Sequence, residues 1–192
     1  MFDLNLILGI VLVLIVIFVL IVIVFYNKLV VLKKRVENAW SQIDVQLKRR
    51  ADLIPNLVNT VKGYAKFEKS VLTEVTQART AIMSAKTPAD AAKAENQLSG
   101  ALKSIFAVAE AYPSLKANEN FIHLQEELSS TENKVAYARQ FYNDSVLAFN
   151  TAISTFPGNF FAGLFSMKNE KEYFAVDDVD RKNVSVDFSE LY

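Results

Sequence analysis

The single histidine, His123, stands three residues before Glu126, a spacing that puts both on one face of a helix. Helical metal sites use such spacings but need a second histidine, whether in the His-Glu-x-x-His motif or in the paired Glu-x-x-His set of di-iron bundles. His123 and Glu126 therefore read as an ordinary surface or half-buried pair. Glu126, Glu127, Glu132 and Asp144 carry oxygen ligands suited to a hard cation, yet nothing in their spacing demands one. The chain has no cysteine, which removes disulfides, thiolate catalysis and thiolate metal sites. Glycine is sparse, and no glycine-rich loop precedes a helix to cradle phosphate. The formal net charge is zero, so nothing drives the whole chain toward nucleic acid. These residues point to no reaction and to no cofactor or metal; the chain reads as non-enzymatic.

Three clusters remain as candidate interaction sites. Lys48-Arg49-Arg50-Ala51-Asp52 is the densest charge run of the body. Adjacent residues on a helix point in different directions, so this is not one flat basic patch. A solvated face is the plain reading; the sharper one has Arg49, Arg50 and Asp52 meeting a neighbouring subunit or a partner. In Arg139-Gln140-Phe141-Tyr142-Asn143-Asp144, Arg139 shares a face with Asn143, and Gln140 with Asp144. A buried polar network that fixes helix register, with Arg139, Tyr142, Asn143 and Asp144 as members, suits that mixture. The third cluster is aromatic: Phe160 and Phe161, then Leu164 and Phe165. Near a membrane it would meet lipid; far from one it would be an interaction surface or a cap on the chain's own core.

The elements that must position these clusters begin with a stretch from Leu4 to Asn27 that holds no charge. At about 1.5 Å per residue it reaches roughly 36 Å, against a hydrocarbon core of about 30 Å. Lipid leaves the backbone only its own hydrogen bonds, so the stretch is a transmembrane helix. A cleaved signal peptide fits badly, because Asp3 precedes the run, no Lys or Arg does, and no small-x-small site follows. Lys28, Lys33, Lys34 and Arg35 flank its far end. The positive-inside rule then gives a single-pass protein of the inner (cytoplasmic) membrane, N-terminus outside and body in the cytoplasm. The same four side chains would meet anionic headgroups of the lipid bilayer.

Beyond the span an apolar stripe runs from Leu29 through Trp40, Ile43, Leu47, Ile54, Val61 and Val75 to Ile82, spaced three and four as in a bundle or coiled-coil seam. Glu68 and Arg79 are its polar occupants. Thr87-Pro88-Ala89-Asp90 starts a second helix, with Thr87 as cap, and Tyr112-Pro113 ends it. Asn118 caps a third, whose seam runs from Phe121 to Phe156 before Pro157-Gly158-Asn159. Pro55 leaves two outcomes for the first helix. It passes through the proline in one piece, in phase across Gly63 as well, or it folds back near Ala51–Asp52 to give four segments of similar length. Fold-back would bring Phe160–Phe165 near lipid; a straight stalk would point them away.

The stretches AWSQIDVQLKRRADLIPNLVNTVKGYAKFE (Ala39–Glu68) and YPSLKANENFIHLQEELSSTENKVAYARQFYNDSVLAFNTAISTFPGNFFA (Tyr112–Ala162) resemble the bacterial LemA family. The resemblance covers nearly the whole chain, while Met83 to Ala109 is less distinctive. It implies an N-terminally anchored helical bundle with its body in the cytoplasm. It also implies relatives linked to membrane-compartment formation or to stress and envelope signalling, and it transfers no catalytic residues. The expected architecture is all-α. It comprises a transmembrane helix (1–27) that continues into an antiparallel long-helix bundle (28–167), and a charged tail (168–192) in which Val184, Val186 and Phe188 alternate like a short strand. The bundle has three long helices, the first kinked or broken near Pro55 to give a four-helix up-and-down form. The expected function is a membrane-anchored scaffold, a homo-oligomer whose uncovered seam drives association, organising or shaping a membrane site. The alternative is an adaptor or sensor for a membrane protein partner, such as a protease or a signalling protein in envelope stress.

Overall fold

The computed structural model describes residues 4–64 and 69–175, and among the described residues every regular element is a helix. In chain order these are α1 (Leu4–Lys62), α2 (Lys69–Ser84), α3 (Pro88–Ala109), α4 (Pro113–Lys116), α5 (Glu119–Ser154) and α6 (Gly158–Leu164). The described residues divide into two compact units. One holds residues 4–45 and 135–173, and the other holds 46–134 and 174–175 apart from the undescribed link. Both α1 and α5 contribute to each.

The first unit contains the apolar span. From Leu4 to Val24 nearly every α1 side chain is exposed, so no other described part of the chain covers it. Burial begins at Leu29 and continues through Val36, Ala39 and Ile43, where the uncharged run has given way to an amphipathic stripe. Val135, Tyr142, Val146, Phe149 and Ile153 of α5 are the matching buried residues. Trp40 meets Tyr142 at 5.8 Å between ring centroids. Lys28, Lys34 and Arg35 are exposed and Lys33 is half-buried; Lys34 pairs with Glu37 at 2.7 Å.

After α5 the chain bends at 155–157 and starts α6. Gly158 permits that bend, since a Cβ there would run into the carbonyl oxygen of Ala152. The segment after α6 then lies along α5. The Asn150 side-chain amide donates to the Lys171 carbonyl at 3.0 Å and accepts from the Lys171 N–H at 2.8 Å. The Tyr142 hydroxyl donates to the Glu172 carbonyl at 2.8 Å. Phe174 is buried. The strand-like alternation at Val184, Val186 and Phe188 lies outside the described residues, as does Glu68.

The second unit packs the rest of α1 with α2, α3, α4 and the start of α5. Its core takes Leu47, Ala51, Ile54, Val58 and Val61 on α1 and Val75 and Ile82 on α2 from the expected seam, and adds Leu57, Val71 and Ala78; Leu72, expected in the seam, is half-buried. Alanines 91, 92, 94, 101 and 109 of α3 are buried too, which lets that helix approach closely. Thr87 caps α3, accepting from the Asp90 N–H at 3.1 Å, and Pro88 occupies the first turn. Asn118 does the same for α5, accepting from the Phe121 N–H at 3.1 Å and donating to the Tyr64 hydroxyl at 2.9 Å. Because these seam residues are buried within the chain, the uncovered seam expected to drive oligomers is not found among the described residues.

Pro55 sits inside α1, which passes it unbroken and ends at Lys62; the chain turns at Gly63–Tyr64, not at Ala51–Asp52. Proline has no N–H, so the carbonyl of Ala51 loses its helical donor. Ala51 is fully buried, and water cannot replace that donor. Arg79 of α2 does: its Nε donates to the Ala51 carbonyl at 3.0 Å. One exception on each helix, a proline and a charged seam residue, thus satisfy each other. Replacing Arg79 by Met should cost about 1–3 kcal/mol by leaving that carbonyl unpaired. In a Pro55→Ala background the restored backbone N–H at position 55 reaches the same oxygen, and the cost should shrink by more than half. Thermal unfolding of the four proteins in detergent checks this cycle.

Candidate functional site: aromatic rings at the end of the apolar span

Phe25 and Tyr26 close the uncharged run of α1, just before Asn27 and Lys28. Two rings from the far end of the chain meet them. Phe161 of α6 stacks on Phe25, with centroids 4.7 Å apart and planes 13° from parallel. Phe165 meets Tyr26 edge-on at 4.9 Å and 72°. Phe160 packs against Phe161 at 5.3 Å, yet 59 % of it remains exposed. The aromatic cluster read from the sequence therefore lies at the inner end of the apolar helix. The straight-stalk expectation, that an unbroken α1 would carry these rings away from the span, is corrected. The helix is unbroken at Pro55, yet within the first unit α5 runs against α1, from Tyr142 beside Trp40 to α6 beside Phe25. Ring pairs of this geometry contribute about 0.5–1.5 kcal/mol each beyond the area they bury.

The basic run on α1 splits by face. Arg49 is half-exposed and reaches Glu127 of α5 at 2.9 Å. Arg50 is 1 % exposed. Its guanidinium bonds Glu95 of α3, which is also buried, donates to Ser99 at 3.1 Å, and pairs with the exposed Glu132 of α5 at 3.2 Å. The acidic contacts expected from a neighbour thus come from the same chain, and Arg50 ties three helices of the second unit together. Asp52 is exposed. A sequence signal for this cluster existed: Glu95 lies on the apolar face of α3 between Ala91 and Leu98, where a charge needs a partner.

In the other polar run Tyr142 alone is fully buried; Arg139 and Asn143 at its flanks are half-buried, and Asp144 is exposed. Burial, then the nearby Glu172 carboxylate, pushes the Tyr142 hydroxyl above the ordinary tyrosine value. The four carboxylates considered as cation ligands are not brought together, since Glu127 and Glu132 serve arginines. Among the described residues no three potential ligands converge on one point, and His123 and Glu126 are both exposed.

Comparison with known proteins places this geometry in context. The profile of the LemA family matches residues 39–188. Protein LemA of Metamycoplasma hominis is 29 % identical, the alignment covering 86 % of this chain and 74 % of that one. Two magnetosome proteins of Paramagnetospirillum magneticum, MamQ 1 and MamQ 2, are each 25 % identical over 78 % of this chain. That match spans 64 % of their own length.

Two outcomes follow. Arg50→Met should destabilise the fold by about 3–5 kcal/mol, because it strands the buried Glu95 carboxylate. Adding Glu95→Leu should recover much of that loss in the same melting assay. Tyr142→Phe should cost about 1 kcal/mol at neutral pH. Because the folded hydroxyl holds its proton more tightly, the unfolded chain binds fewer protons above about pH 10, and stability falls there. The Phe variant should lack that alkaline loss when unfolding is followed across about pH 9–11.

Proposed function

The chain belongs to the LemA family, and from that premise we propose that it is a non-enzymatic, membrane-anchored helical scaffold that associates with itself and organises or shapes a membrane site. The observation that supports this most is α1. The helix long and apolar enough to cross a membrane is the same 59-residue helix that supplies core residues to the body. An anchor built this way transmits orientation as well as location, since no linker of glycine, proline or serine intervenes. In this reading the span crosses the inner membrane once, Lys28, Lys33, Lys34 and Arg35 hold the cytoplasmic side, and α1, α2, α3 and α5 form an up-and-down four-helix bundle. The names of the MamQ relatives, proteins of the magnetosome, fit a role in organising a cellular structure.

Self-association in this reading uses the exposed side of α1 in the first unit. Beyond the apolar span its exposed apolar residues there are Val31 and Val45, 59 % and 60 % exposed and two heptads apart on α1, with Lys34, Asn38 and Ser41 between them. A second reading, an adaptor for a membrane protease or signalling protein, draws on an open groove of about 470 Å³ in the second unit. It is lined by Val58 and Lys62 of α1 and by Leu72, Thr76 and Thr80 of α2. Light scattering of the full chain in mild detergent separates the two. The scaffold predicts a protein mass above one 21.6-kDa chain, falling toward it when Val31 and Val45 are both changed to Glu. A strict monomer at every concentration removes self-association.

A further inference from the structure

The aromatic cluster leaves an outer face that the cluster itself does not use. Phe160 and Leu164, one turn apart on α6, are each 59 % exposed, and Phe156, in the bend before α6, is 86 % exposed. The neighbouring Phe161 of α6 packs against Phe25. We propose that α6 is a second, interfacial membrane contact. In it Phe156, Phe160 and Leu164 enter the boundary between headgroups and acyl chains beside the end of the α1 span. This rests on the reading of α1 as a membrane helix.

Depth is the first argument. The ring contacts fix α6 at the level of Phe25 and Tyr26, where the uncharged run ends. A tyrosine followed by Asn27 and Lys28 marks the headgroup level of such a span. Continuity is the second. Val24 and Tyr26 are themselves exposed, so the apolar face of α6 extends the surface that α1 gives to lipid. Charge is the third. Between Asp144 and Glu170 the sequence has no carboxylate. The one charged side chain of that stretch, Lys168, lies alongside Gly163 of α6, where a Cβ would meet its Cε and Nζ. An apolar face with an adjacent ammonium suits an interface whose lipids are anionic: the rings go down and the lysine stem reaches up to the headgroups. The bend at 155–157, which Gly158 permits, turns the chain out of α5 within this surface.

The absence of cysteine allows the test on the full chain without removing any residue. Single cysteines at Phe160 and Leu164, and for reference at Ile15 and Tyr137, are spin-labelled. The proteins are reconstituted in vesicles of phosphatidylethanolamine and phosphatidylglycerol. Collision with oxygen, which concentrates in lipid, is compared with collision with a water-soluble nickel chelate. The proposal expects the oxygen-to-nickel ratio at positions 160 and 164 to exceed that at 137 several-fold and to fall below that at 15. A ratio at 160 and 164 equal to that at 137, with 15 in lipid, overturns the interfacial contact and leaves the anchor standing. If 15 is also in water, the membrane reading falls with it. Exclusion of both reagents at 160 means protein cover, and spectral broadening relieved by unlabelled chain identifies a second copy as that cover; either result overturns the proposal.

Discussion

The continuity of hydrogen bonding along α1 is the constraint on which the rest depends. No glycine or proline interrupts the sequence between Gly9 and Pro55, so nothing local weakens the helix as it leaves its apolar part. The first place where the ladder must fail is the carbonyl of Ala51, and there a side chain 28 positions further on completes it. The helix survives to Lys62, and the chain turns at Gly63–Tyr64. Within the first unit α5 returns along α1, and α6 reaches the end of the apolar span.

That return gives the chain its asymmetry. One unit is held by rings and aliphatic side chains: Trp40 on Tyr142, Phe161 on Phe25, Phe165 on Tyr26. The other holds a buried arginine with two glutamates. Buried ion pairs of this kind add little net stability but penalise any packing that separates them. Arg50 therefore acts on which helices meet in the second unit, whereas the rings act on where α6 lies in the first.

Much of this was legible in the sequence. The apolar span, the three-four seam, the caps at Thr87 and Asn118 and the stop after α5 rest on local rules, and each stands where those rules put it. What was not legible depended on contacts distant in sequence. Pro55 alone cannot say whether its helix breaks, because the answer lies in Arg79. Arg50 looks like one more exposed charge beside Lys48 and Arg49 until Glu95 is placed opposite it. The segment after α6 reads as a polar tail, yet Asn150 and Tyr142 bond its backbone at Lys171 and Glu172. Sequence left the aromatic cluster open, near lipid under fold-back and away from it under a straight stalk, because its place is set by Phe25 and Tyr26, more than 130 residues earlier.

The central claim is that anchor and body share one rigid helix. The most direct measurement is the distance between spin labels at Leu12, within the apolar span, and Gln42, within the body, both exposed on α1. In the full chain in lipid vesicles, an unbroken helix predicts a narrow distribution near ~45 Å. A broad distribution centred well below that value would mean a flexible joint after Asn27 and would contradict the account.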